Sequence, residues 1–122
     1  MEIKEHILNE INVAEVISEE LIIQNTADAL DLMGNIYYQG FDKIILHQKN
    51  ISPDFFDLKN KMAGDILQKF SQFRVRLVIV GDFSDFESKS LKAFIYESNN
   101  GKQVNFLTST KEGLKSLTKD NH

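Results

Sequence analysis

The sequence has no cysteine, no tryptophan and a single proline among its 122 residues. Without cysteine there is no disulfide, no thiolate metal centre and no cysteine nucleophile, a composition that fits a reducing cytoplasm. Positive charge is also short. Lys and Arg number 14 against 18 Asp and Glu, for a net charge of −4, so the basic face that phosphate contacts demand is missing and no nucleic-acid partner is expected. No run approaches the ~20 apolar residues needed to span a bilayer. The opening Met1-Glu2-Ile3-Lys4-Glu5-His6 is too charged for a signal-peptide core, so a cytoplasmic protein without a membrane partner is expected. What is present is ordinary for a folded chain: 42% hydrophobic residues, with nine Phe. That length fits one domain, residues 1–122.

Ile3 to Leu8 and Ile11 to Ile17 are β-rich runs on either side of Asn9-Glu10, which predicts an antiparallel hairpin. Ser18 to Gln24 reads as a connection that tucks Leu21, Ile22 and Ile23 under the next helix. That helix starts near Asn25 or Thr26, carries Ala29, Leu30, Met33, Ile36 and Tyr37 at helical spacing, and ends at Gly40 in a left-handed cap. Of Tyr37 and Tyr38, one is expected in the core and one at its rim. Ile44-Ile45-Leu46 is the unbroken apolar run of a strand covered on both faces. Ser52 then caps, and Pro53 opens, the longest helix, with a stripe of Phe55, Leu58, Met62, Ile66 and Phe70. Gly64 in its middle costs roughly 1 kcal/mol against Ala, which points to a close approach by a neighbouring backbone. Val75 to Val80 is the next strand, and after Gly81-Asp82-Phe83-Ser84 a helix starts at Ser88 and faces Leu91, Phe94 and Ile95 inward. Asn99-Asn100-Gly101 stops it by left-handed turn chemistry. Val104, Phe106 and Leu107 mark the last strand. The capping box Ser109-x-x-Glu112 opens a short final helix with Leu114 and Leu117, beyond which Thr118 to His122 should fray.

The resulting order is β-β-α-β-α-β-α-β-α, an α/β single domain with a mixed sheet of about five strands. The last three strands run parallel and the hairpin adds strands at one side. Open α/β sheets place ligand sites past the C-terminal ends of their strands. Here that means Asn50, Ser52 and Asp54 after the third strand, and Gly81, Asp82, Ser84, Ser88 and Ser90 after the fourth, where free helix-start N–H groups can hold an anion. The bland reading of the same residues is turn and cap chemistry. Gly81-Asp82-Phe83-Ser84 lacks both the glycine spacing of a dinucleotide loop and the lysine of a P-loop. His47 is the histidine placed for chemistry. Acid–base work would need Asp54 or Asp82 as its partner, and otherwise His47 is a hydrogen-bonded structural residue. No spacing matches a metal motif, and no cofactor or catalytic residue is indicated.

Longer segments carry a family likeness: Ala29-Leu30-Asp31-Leu32-Met33-Gly34-Asn35 with Tyr37-Tyr38-Gln39-Gly40, Asn50-Ile51-Ser52-Pro53 with Phe55-Phe56-Asp57-Leu58, Gly81-Asp82-Phe83, and Ser88-Lys89-Ser90-Leu91-Lys92-Ala93-Phe94. In these, from about Ile3 to Leu117, the chain resembles the bacterial domain-of-unknown-function family DUF4180, which brings no established activity. The element order is similar, more distantly, to STAS domains, the anti-sigma-factor-antagonist type of fold. Such regulators carry a phosphorylated serine at this corner, and the resemblance makes Ser52 of Ile51-Ser52-Pro53-Asp54 the corresponding phosphoacceptor candidate. It implies a non-enzymatic regulatory or protein-interaction module with an unidentified protein partner. Two alternatives stay open: a sensor for an anionic or amphiphilic small molecule at the same edge, and an enzyme using His47 with Asp54 or Asp82. A homodimer would cover an open sheet edge.

Overall fold

The computed structural model describes residues 1–119. The elements are β1 (Glu2–Leu8), β2 (Ile11–Ile17), α1 (Thr26–Tyr38), β3 (Lys43–His47), α2 (Met62–Gln72), β4 (Arg76–Val80), α3 (Lys89–Asn100), β5 (Val104–Leu107) and α4 (Thr110–Leu117). Their order is the one expected from the sequence, and the five strands lie side by side in chain order. β1 is antiparallel to β2, while β2 to β5 are all parallel. The parallel part therefore includes the second hairpin strand, because the β2-α1-β3 step is itself a crossover.

The three crossovers put α1, α2 and α3 on one face. There Ala14, Val16, Ile44, Leu46, Leu77, Ile79, Val104 and Phe106 of the strands meet Ile36, Ile66, Phe70 and Leu91 of the helices in the main core. α4 follows the last strand and folds back over the other face, packing on β3, β4 and β5. Val13, Ile45, Val78, Val80 and Leu117 form a smaller core beneath it. A Cβ on Gly113 would lie 3.1 Å from Val78 Cγ1, so glycine lets this helix sit close. One helix ~10 Å across shields two or three strands spaced ~4.8 Å apart. α4 also reaches β2, where Val13 packs with Leu117, and the buried carboxylate there, Glu15, is covered by side chains.

Both residues of the Asn9-Glu10 turn have positive φ, 53° and 65°, the type I′ geometry that matches the twist of a hairpin. Asn tolerates that region and Glu does not. Glu10→Gly is expected to raise stability by about 1 kcal/mol, seen as a higher urea midpoint at unchanged slope. A lower midpoint would mean that Glu10 makes a contact worth more than its strain. α1 closes as expected, with Gly40 at φ 101° and the Phe41 N–H on Ile36 O at 3.2 Å.

Several local expectations are corrected. The long helix from Pro53 is broken into two 3₁₀ turns, Pro53–Phe56 and Leu58–Asn60, before α2 starts at Met62. The Asp57 and Asn60 side chains take the N–H groups of Lys59 and Met62 at 3.2 and 2.9 Å, and Lys61 turns to φ 65°. Local side-chain bonding thus replaces the helical ladder, although Phe55 and Leu58 still face the core. Gly64 has no atom within 4 Å of where its Cβ would be. It lines an open cleft towards α3 and permits no close backbone approach. Gly101 is extended, at φ −93° and ψ −176°. α3 ends instead on β5: the Asn99 amide donates to Phe106 O at 3.1 Å and accepts the Phe106 N–H at 2.7 Å, and the Ser98 hydroxyl donates to Val104 O. Those side chains occupy part of the outer edge of β5. Tyr37 and Tyr38 are both exposed; neither is core. Leu21, expected to be tucked away, is 47% exposed. Thr118 is buried, with its hydroxyl on Leu114 O at 2.7 Å, and residues 120–122 of the expected frayed end lie outside the described residues.

Candidate functional site

β3 leaves the sheet at His47 and turns through a 3₁₀ segment, Gln48–Asn50. Asn50 is fully buried. Its side-chain NH2 donates to Ser18 O and Glu20 O at 2.8 and 2.9 Å, and its backbone carbonyl accepts the Ile22 and Ile23 N–H groups at 2.7 and 3.0 Å. The Ser52 N–H returns the link, donating to Ile23 O at 2.8 Å. Asn50 therefore pins the β2-α1 connection to the corner through its side-chain NH2 and its backbone carbonyl, while its buried Oδ1 has no hydrogen-bond partner among the described residues. Ser52 is also buried, and its Oγ accepts the Asp54 N–H at 3.2 Å, capping a 3₁₀ turn. Asp54 is exposed.

The second loop is locked to the first. A Cβ on Gly81 would fall 2.3 Å from Gln48 Oε1 and 2.6 Å from Gln48 Cβ, so only glycine leaves room for that side chain. Gln48 Oε1 accepts the Asp82 N–H at 3.1 Å. The Phe56 ring stacks on Phe86 with centroids 4.9 Å apart and meets Phe83 at 6.0 Å. The two loops read from the sequence thus form one surface, with Asn50, Ser52 and Asp54 on one side and Gly81, Asp82 and Ser84 on the other. Asp82 is turned on its own loop: the Ser84 hydroxyl and N–H donate to its Oδ1 at 2.6 and 3.0 Å and hold the carboxyl below its usual range. Ser88 accepts the Leu91 N–H at 3.2 Å and caps α3, and Ser90 is exposed in that helix's first turn. Gly81→Ala is expected to cost about 1–3 kcal/mol, because Gln48 must be displaced and the Asp82 N–H loses its acceptor. An unchanged thermal midpoint would show that Gln48 is not part of a fixed bridge.

Beside this bridge opens a cleft of about 520 Å³, lined by Leu21, Ile51, Pro53, Phe56 and Phe86 together with Gln48 and Lys49. Reading the sequence for polar chemistry missed the apolar lining. A signal was there: Leu21 follows two acids, and Phe83 and Phe86 interrupt a polar loop.

His47 is joined to neither Asp54 nor Asp82. Strand alternation puts it on the face of Ile45, where its Nε2 is 2.7 Å from Glu15 Oε2. His6 Nε2 lies 2.8 Å from Glu15 Oε1, and Thr110 Oγ1 lies 3.5 Å from Glu15 Oε2. An enzyme reading of His47 with either aspartate loses its acid–base pair. Burial pushes the Glu15 carboxyl up, but the hydrogen bonds and charge of His47 and His6 outweigh it and leave the group below its ordinary value. The Nε2 of each imidazole is engaged with a different oxygen of the Glu15 carboxylate. Among the described residues no group of three or more His, Asp or Glu side chains is placed to hold a metal ion. Glu15 escaped sequence reasoning, although a lone carboxylate inside the apolar run Ile11 to Ile17 is the kind of residue that needs a partner.

A family model described as "Domain of unknown function (DUF4180)" matches residues 8–117. The chain belongs to the DUF4180 family. The match runs from the end of β1 through α4, so both loops of the corner lie inside this DUF4180 domain. The chain is also similar to a solved structure from Thermotoga maritima, described as an anti-sigma factor antagonist, at 12% identity and a TM-score of 0.46, covering 94% of this chain and 93% of that one. No curated protein matches the sequence. No helix among the described residues of the DUF4180 chain is long and apolar enough to cross a membrane.

Proposed function

We propose that this DUF4180 domain is a non-enzymatic regulatory module that docks a protein partner in the cytoplasm, with residues 48–56 and 81–90 as its docking edge. The observation that carries this reading is the apolar cleft of about 520 Å³ at that edge, held open between two loops already fixed to each other by Gln48 and by the Phe56–Phe86 stack. A preformed apolar recess suits one anchoring side chain of an amphipathic segment, because little ordering remains to be done on binding. Asn50 and Gly81 shape the edge from within. Asp54, Asp82, Ser84 and Ser90 supply an exposed polar rim. Ser52 gives the edge a route to regulation that requires the Pro53–Phe56 turn to open, since its side chain is buried: phosphorylation would take its Oγ from the Asp54 N–H, place about two negative charges beside Asp54 and oppose docking. A homodimer, in this reading, forms over β1, away from the cleft.

The same lining, with Lys49 among its residues, favours a second reading in which the cleft holds an anionic amphiphile. Native mass spectrometry of the chain purified gently from its own cells separates the two. A complex with a second polypeptide is the expected result, and a phosphate on Ser52 would identify the regulated form. A non-covalent small mass without a polypeptide would replace the first reading by the second.

A further inference from the structure

A different cavity lies at the other end of the parallel strands, where α1 and the end of α2 meet the start of β4. It measures about 320 Å³ and is lined by Leu30, Met33, Gly34, Tyr37, Phe73 and Val75. We propose that this cavity binds a neutral aromatic small molecule, independently of the docking edge.

Gly34 is the residue that points to a guest. It sits inside the 13-residue helix α1, where glycine costs roughly 1 kcal/mol against alanine. Its backbone has no positive φ that would require glycine, and no atom lies within 4 Å of where a Cβ would be. Neither the turn of the chain nor its packing explains the missing side chain. What Gly34 does is line the cavity, and any larger residue would occupy part of it.

The lining sets the chemistry. It contains no charged side chain, so an ion brought there would lose its hydration without compensation. Tyr37 and Phe73 are 61% and 53% exposed, neither ring paired with another aromatic among the described residues, and Met33 adds a thioether. Rings and thioethers favour edge or face contact with another aromatic group. The volume suits a compound of one to three rings, at the small end of ligand cavities.

The test is a fluorescence titration with N-phenyl-1-naphthylamine, a neutral aromatic probe. The wild-type chain should bind it saturably. Gly34→Leu should weaken binding by about tenfold or more, near 1.4 kcal/mol, without lowering the thermal midpoint, since Leu is the better helix former. Gly64→Leu, at an equally open position over a different cleft, should leave the affinity unchanged. In the wild-type chain with labelled methionine methyls, the probe should shift Met33 and leave Met1 and Met62 in place. This readout decides the matter even if Gly34→Leu fails to fold. Absence of saturable binding, equal losses in the two leucine variants, or a shift at Met62 in place of Met33 would overturn the proposal.

Discussion

Phe55→Ala is expected to lower the unfolding free energy by about 3–5 kcal/mol, the largest effect of any substitution considered. Phe55 is 1% exposed, yet it belongs to a 3₁₀ turn of only four residues. Its ring meets Phe56 at 5.0 Å and Phe106 at 6.2 Å, so it anchors the corner to β5. Removing it leaves a cavity that a sheet cannot close, and frees Phe56 from one of the rings that orient it. A domain of this size has about 5–15 kcal/mol in total, and the variant should be partly unfolded under mild conditions. Urea denaturation measures the loss. A change below about 1 kcal/mol would show that the turn collapses into the gap, against the range expected for buried aromatics.

Glu15→Ala is the second large effect, about 3 kcal/mol of lost stability, because two half-buried imidazoles lose a charge-assisted partner. Through His6, Glu15 and His47 the cluster ties β1, β2 and β3 together beside α4, whose Thr110 Oγ1 lies 3.5 Å from Glu15 Oε2. The pH dependence follows from the lowered Glu15 carboxyl. Between the folded and the ordinary carboxylate values the unfolded chain binds more protons, so stability rises with pH there. The contribution of Glu15 is complete above the ordinary value and is lost as pH falls through the folded one. Glu15→Gln keeps the size and removes the charge, and should flatten this part of the stability profile. Wild-type and Gln profiles that run parallel through the acid range would contradict the assignment.

The elements legible in the sequence are those decided by short-range physics. Ile44-Ile45-Leu46 and Leu77 to Val80 lie in strands because no other element buries so continuous an apolar run, and the cap at Gly40 follows from glycine's tolerance of positive φ. The location of the corner was legible for the same reason: it follows from where strands end. The break at 57–61 was hidden, since Asp57 and Asn60 look like helix surface until their side chains take backbone N–H groups. Two features could not be read locally at all. The Glu15–His47 bond spans 32 positions, and the cleft exists only because Leu21 and Phe86 arrive from separate parts of the chain.

The most direct test of the docking edge is site-specific photo-crosslinking in the native cells, with p-benzoylphenylalanine placed singly at Leu21, Phe86 and Tyr96. Leu21 and Phe86 line the cleft, whereas Tyr96 is an exposed aromatic on α3 outside it. The account predicts that positions 21 and 86 capture the same polypeptide and that position 96 does not. Adducts at 96 that match those at 86, or no polypeptide captured from within the cleft, would contradict it.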